Sequence, residues 1–191
     1  AEFTGKVIHI GSARGKLANA VAMAASFVTM LPRSEAPEST DGWYGYYCPL
    51  EMQGSLEKAS VDVFLRDFSQ AGMEARIEAV KAIAKAVEAQ FPLGSVNLQI
   101  NKQYVNMREK LDQTPEVLER AMEAGRRAGV ETVVRPIRGG TDGARLTEMG
   151  IPTPNFYTGG YNYHSRFEWA SVAEMSATVD TVIELVKLWA S

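Results

Sequence analysis

The 191-residue chain has one cysteine, Cys48, and two histidines. A lone thiol cannot close an internal disulfide, and it excludes any site built from several cysteines. That usage fits a reducing compartment, and we read the chain as cytoplasmic. A surplus of positive charge is missing too: 20 Lys and Arg stand against 23 Asp and Glu, a formal net charge of −3. No nucleic-acid backbone and no anionic membrane surface is therefore expected as the main partner. The most apolar stretch, Leu17 to Leu31, is too short and too alanine-rich to span a bilayer, and no signal-peptide pattern precedes it. Internal repeats, low-complexity tracts, a serine nucleophile elbow and an HExxH helix are all lacking.

What remains is a chain with 46% hydrophobic residues, enough to bury a sizeable core in one or two domains. The opening "AEF" carries no signal and fits a cloning remnant. "KVIHI", Lys6 to Ile10, is strand-like, and "GSARGK" turns it into a helix from Leu17 to Leu31 that Pro32 stops. "WYGYYCPLEMQG" is aromatic and β-prone. In the next stretch Val61, Val63 and Leu65 alternate with Asp62, Phe64 and Arg66, the period-two pattern of a strand with two distinct faces. These two segments form a predicted hairpin turning near Gly54. Met73, Ile77, Val80, Ala84, Val87 and Phe91 mark an amphipathic helix, and Val96, Leu98 and Ile100 another strand. The resulting β-α-β-β-α-β order is the split βαβ arrangement, a four-stranded antiparallel sheet with two helices on one face.

After a break near residues 105 to 114 the pattern becomes α/β. Thr114-Pro115 opens a helix that Gly129 ends, "VETVVRPI" reads as a strand, and "TDGARLTEMG" as a short helix. "TPNFYTGG" reads as a strand running into a glycine loop. Ser171 and Glu174 predict a capping box, and Met175, Val179, Val182, Ile183 and Val186 the apolar stripe of a last helix. Two strands and three helices make a poor complete α/β domain, so this half reads as the end of a larger sheet.

Four places could carry chemistry. "RGGTDG", Arg138 to Gly143, sits at a strand end, where glycines let backbone amides approach a ligand and an arginine can fork a carboxylate; Thr141 and Asp142 also suit a plain helix cap. His164 follows the second glycine pair, Gly159-Gly160, and could ligate a divalent metal, act as acid or base, or be structural. Arg66 projects from the opposite face to Val61, Val63 and Leu65, as a solvated strand arginine would. His9 with "GSARGK" forms a basic turn before a helix, but lacks phosphate-loop spacing.

The run "RPIRGGTDGARLTEMGIPTPNFYTGGYNYHSRFEW", with "YVNMREK" and "VFLRDF" upstream in the same order, resembles the tripeptide aminopeptidases of the di-zinc exopeptidase family, over essentially the whole chain. The resemblance implies a ferredoxin-like lid that also dimerises, residues 1–105 with its first strand truncated, followed by the C-terminal part of an α/β catalytic domain, residues 106–191. It implies that His164 is the last zinc ligand of a site that holds two zinc ions when complete. Arg66 and Arg138 match arginines that approach the peptide's carboxylate or carbonyl end, Asn106 and Arg108 lie in a matching motif, and Gly159 belongs to the substrate-facing glycine loop. His9 matches a lid histidine that reaches the other subunit's active site and polarises the scissile carbonyl. The family's remaining metal ligands and its general-base glutamate precede the lid and match nothing here, and Ile10 stands where the family usually has proline. By that resemblance the chain is a portion of a zinc aminopeptidase, inactive alone, with a short peptide as substrate and a homodimer as its assembly. The alternatives are a non-catalytic dimerisation module and, less favoured, a small-anion binder.

Overall fold

In the computed structural model the chain divides into two compact units, Ala1–Asn101 and Lys102–Ser191, and the structure describes residues 1–103 and 106–191. The boundary expected at Val105 lies outside the described residues.

The first unit runs β1 (Glu2–Thr4), α1 (Ala20–Met30), β2 (Tyr46–Gly54), β3 (Lys58–Arg66), α2 (Gln70–Gln90) and β4 (Ser95–Asn97). Its four strands form one sheet in the order β2-β3-β1-β4, with every neighbouring pair antiparallel. The hairpin, α2 and the element order match the expectation, but the first strand is not where the hydrophobic pattern put it. Lys6 to Ile10 makes only a bridge from Lys6 to Ala18 and a helical turn at Ile10–Ser12. The residues read as a remnant are the strand instead: Phe3 pairs with Ala59 on one side and Val96 on the other, and is 1% exposed. One buried ring at a central position outweighs a longer run whose Val7 and Ile10 remain exposed.

Period decides the rest of this unit. Strand β3 turns Ala59 and Val61 inward, and α1 and α2 lay Met23, Phe27, Val80, Ala84 and Val87 on them in one core. Phe3 and Phe27 meet edge to face at 5.5 Å. Helix α1 starts at Ala20, later than expected, because Ala18 is held in the bridge and the Asn19 side chain accepts from the Val21 and Ala22 amides. Ser69 caps α2 by accepting from the Gly72 amide.

The second unit contains α3 (Arg108–Leu111), α4 (Pro115–Arg127), α5 (Asp142–Glu148), β5 (Gly160–Tyr161), β6 (Trp169–Ala170) and α6 (Val172–Ala190). The expected strands "VETVVRPI" and "TPNFYTGG" are irregular. A strand exists only through its ladder, and among the described residues the first segment has no pairing neighbour while the second pairs only at its last residue, Gly160 with Ala170, so Val133 and Val134 stay 63% and 66% exposed. The stripe on α6 is corrected in the same way. Met175, Val179, Val182, Ile183 and Val186 are all exposed, whereas Thr181 is fully buried and shares a 2.7 Å hydrogen bond with the Tyr157 hydroxyl. Arg120 of α4 ties the end of α6 by donating to the Leu188 carbonyl and stacking over the Trp189 ring.

Candidate functional site

His164 sits in the loop of the β5–β6 hairpin. Its φ is +66°, and Asn162 in the same loop is at +54°, a left-handed conformation that costs a branched or ring side chain free energy and clusters at functional sites. Several contacts hold the turn: the His164 amide donates to Glu168 at 2.9 Å, the Asn162 side chain to the Phe167 carbonyl, and the Phe167 amide to the Ser165 hydroxyl. The hairpin stem is a stacked pair, Tyr161 on Trp169 at 4.3 Å and 9°. Tyr161 also donates to the Glu174 carboxylate, a hydrogen bond that pushes its phenol above the usual range.

Gly159 joins this hairpin to α6. Its φ is +73°, its carbonyl accepts from the Ser171 amide, and a Cβ there would come within 2.8 Å of the Glu174 Cβ. The position needs glycine on both counts. The expected capping box is therefore half formed. Ser171 accepts from the Glu174 amide, but the Glu174 carboxylate goes to Tyr161 rather than back to Ser171.

Arg138 is half-buried ahead of α5, and Thr141 occupies the cap position without a side-chain capping bond. The first turn of α5 is pressed against the irregular segment after it: a Cβ on Gly143 would lie 2.6 Å from the Thr153 carbonyl, and the Thr153 amide donates to Thr147. Asn106 and Arg108 are joined directly, the Arg108 amide donating to the Asn106 side chain at 3.0 Å.

In the first unit Arg66 ends β3. Its guanidinium lies 4.5 Å over the Phe64 ring and donates to the Leu65 carbonyl, on the face of the sheet away from Val61. The neighbouring Asp67 is fixed by Arg76, which also binds Glu35 at 2.6 Å and stacks over Tyr47. Burial pushes the Asp67 carboxyl up, but the Ser69 amide and Arg76 outweigh it and hold it below the usual range. His9 lies at the far end of the sheet. β1 leaves the ladder with Thr4 opposite Lys58, eight residues before Arg66, or about 26 Å along an extended strand. From Thr4 the chain runs on away from Arg66, the Gly5 amide donating to the Glu57 carbonyl, so His9 follows at the end of the sheet opposite Arg66. His9 itself is exposed and accepts from the Gly11 amide through Nδ1.

Sequence reasoning missed the Tyr161–Glu174 anchor, the Glu168 contact and the Arg76 network. Glu174 was visible only as a cap residue, and pairing across 41 residues, as between Arg76 and Glu35, leaves no local signal.

Residues 1–93 match the family model of the peptidase dimerisation domain. Over 189 residues the chain is 41% identical to peptidase T of Clostridium perfringens (strain 13 / Type A), covering 99% of this chain and 47% of that protein. It is 42% identical over 185 residues to peptidase T of Geobacillus thermodenitrificans, covering 97% and 45%. The chain thus spans about half the length of the curated relatives it matches. Its fold is similar to the crystal structure of aminopeptidase PepT from Bacillus cereus, with a TM-score of 0.74 over 100% of this chain and 50% of that one, at 20% identity.

The donors present among the described residues do not fit a complete metal site. Zinc needs three or four protein ligands, and among the described residues no group of three His, Cys, Asp or Glu could hold an ion. Among those residues no helix is long and apolar enough to cross a membrane.

Proposed function

We propose that this chain, which resembles peptidase T over 99% of its length, supplies the dimerising lid and the C-terminal part of the catalytic domain of an aminopeptidase that removes the N-terminal residue from tripeptides. The observation that carries this reading is 41% identity over 99% of the chain to proteins of which it spans about half. In this reading the lid is ferredoxin-like and forms a homodimer. His164 is one ligand of a zinc site whose other ligands lie in the half that this chain does not match, and alone the chain turns over no peptide. Arg66, Asn106, Arg108, Arg138 and the Gly159 loop hold the substrate. The positive φ at His164, secured by Glu168, supports a functional turn. The separation of His9 from Arg66 suits a histidine that serves the partner subunit's site. The exposed stripe on α6 and the unpaired Val133–Val134 segment suit surfaces that a larger α/β sheet would cover.

The test is a chimera in which this chain replaces the matching half of Clostridium perfringens peptidase T. Zinc-dependent release of the N-terminal residue from a tripeptide, lost in His164→Ala, is expected. A folded chimera whose activity is indifferent to His164→Ala would remove His164 from the site. A second reading, a non-catalytic dimerisation module, draws on the family model's coverage of residues 1–93 alone; a dimeric chain whose chimera is inactive would favour it.

A further inference from the structure

Every residue of the β5–β6 hairpin from Tyr161 to Ala170 is exposed, Phe167 at 81%, so burial does not fix the shape of its loop. Polar contacts do. The Ser165 amide donates to the Asn162 carbonyl and the Glu168 amide to the Ser165 carbonyl, two successive turns that bring residue 168 back beside residue 164. The two left-handed residues of the loop are held differently. Asn162 tolerates a positive φ through its own short side chain, which reaches the Phe167 carbonyl. His164 is held from outside, its amide donating to the Glu168 carboxylate at 2.9 Å. A left-handed residue other than glycine persists only where its surroundings fix it, and a hydrogen bond to an ionised acceptor is large enough to offset much of the cost. The stem beneath is anchored separately: Tyr161 stacks on Trp169 and donates to Glu174 of α6 at 2.8 Å. Glu168 therefore bears on the conformation of His164, and the Tyr161 contacts bear on the hairpin as a whole.

We propose that Glu168 is a positioning residue: by accepting from the His164 amide its carboxylate holds His164 in the left-handed conformation and so sets where the imidazole stands. The proposal rests on the peptidase reading, in which His164 belongs to the active site, and adds to it a residue that acts only through His164.

The experiment has two arms. In the full chain, NMR follows the NOE between the His164 amide hydrogen and its own Hα, which is strong at positive φ because the two hydrogens then lie closest. Glu168→Ala should lose that strong NOE while the Trp169 ring signals stay unchanged. Glu168→Gln, whose amide oxygen accepts from the same N–H, should keep it, and so should Tyr161→Phe, which removes a bond from the hairpin but not from His164. In the chimera with Clostridium perfringens peptidase T, Glu168→Ala should lower kcat about tenfold with KM within about twofold, and Glu168→Gln should restore most of the rate. An NOE that survives Glu168→Ala, or an active chimera whose kcat ignores that substitution, overturns the proposal and leaves the peptidase reading standing. Equal loss of kcat in Glu168→Ala and Glu168→Gln marks a plain folding defect and overturns it as well. An inactive wild-type chimera counts against the peptidase reading, and the NOE then decides alone whether Glu168 holds His164.

Discussion

Replacing Phe3 by alanine tests how the first unit is held together. Phe3 is 1% exposed, sits in the strand flanked by both β3 and β4, and meets Phe27 at 5.5 Å. Truncating a buried phenylalanine removes its transfer free energy and leaves a cavity, about 3–5 kcal/mol in all. A domain the size of Ala1–Asn101 is stable by about 5–15 kcal/mol, so Phe3→Ala should remove about a fifth of that or more. The matched control is Val7→Ala, in the segment whose hydrophobic pattern looked more strand-like. Val7 is 50% exposed, and its truncation should change stability by no more than about 0.5 kcal/mol. Urea unfolding followed through the β3 amide signals reports this unit alone. A loss below about 1 kcal/mol for Phe3→Ala, or equal losses for the two variants, would refute the assignment of Glu2–Thr4 as the inner strand.

Asp67→Asn should destabilise the same unit at neutral pH by about 1–3 kcal/mol, the worth of charged hydrogen bonds, and should flatten its acid unfolding. The sign follows from the depressed folded pKa: the contribution is complete above the unfolded carboxylate value and is lost as pH falls through the folded one, so wild type and variant should converge at low pH. Thr181→Val removes the shared hydrogen bond with Tyr157 from a fully buried position, and a thermal melt should show a loss of about 1–2 kcal/mol. Val182→Glu, on the exposed stripe of α6, should leave the stability of the chain within about 0.5 kcal/mol in the same melt, whereas a core position would lose several times that. Sedimentation of the purified chain should show a dimer; a monomer at every concentration would remove the dimerisation reading.

Where one residue's neighbours lie close in sequence, the fold was legible. The period-two alternation through Val61 and Val63 and the period of α2 identified β3 and the second helix, because each face meets a core made within the same unit. The "VETVVRPI" segment and the α6 stripe read as buried with equal clarity, yet they are exposed: hydrophobic pattern reports what a segment would bury, not whether a partner is there to bury it. Among the candidate site residues, Arg66's face and His164's place beside a glycine loop were visible from alternation and turn chemistry. The positive φ of His164, the Tyr161–Trp169 stack and the Trp43–Phe68 ring contact were not, since they arise from contacts that only the folded chain creates.

On the proposed function, this chain carries one part of a peptidase T-like enzyme and does not by itself perform the reaction. Hydrolysis of a tripeptide by the purified 191-residue chain, with zinc supplied, tests it most directly. No turnover above the uncatalysed background is expected, and a zinc-dependent rate comparable to that of a full-length relative would contradict it.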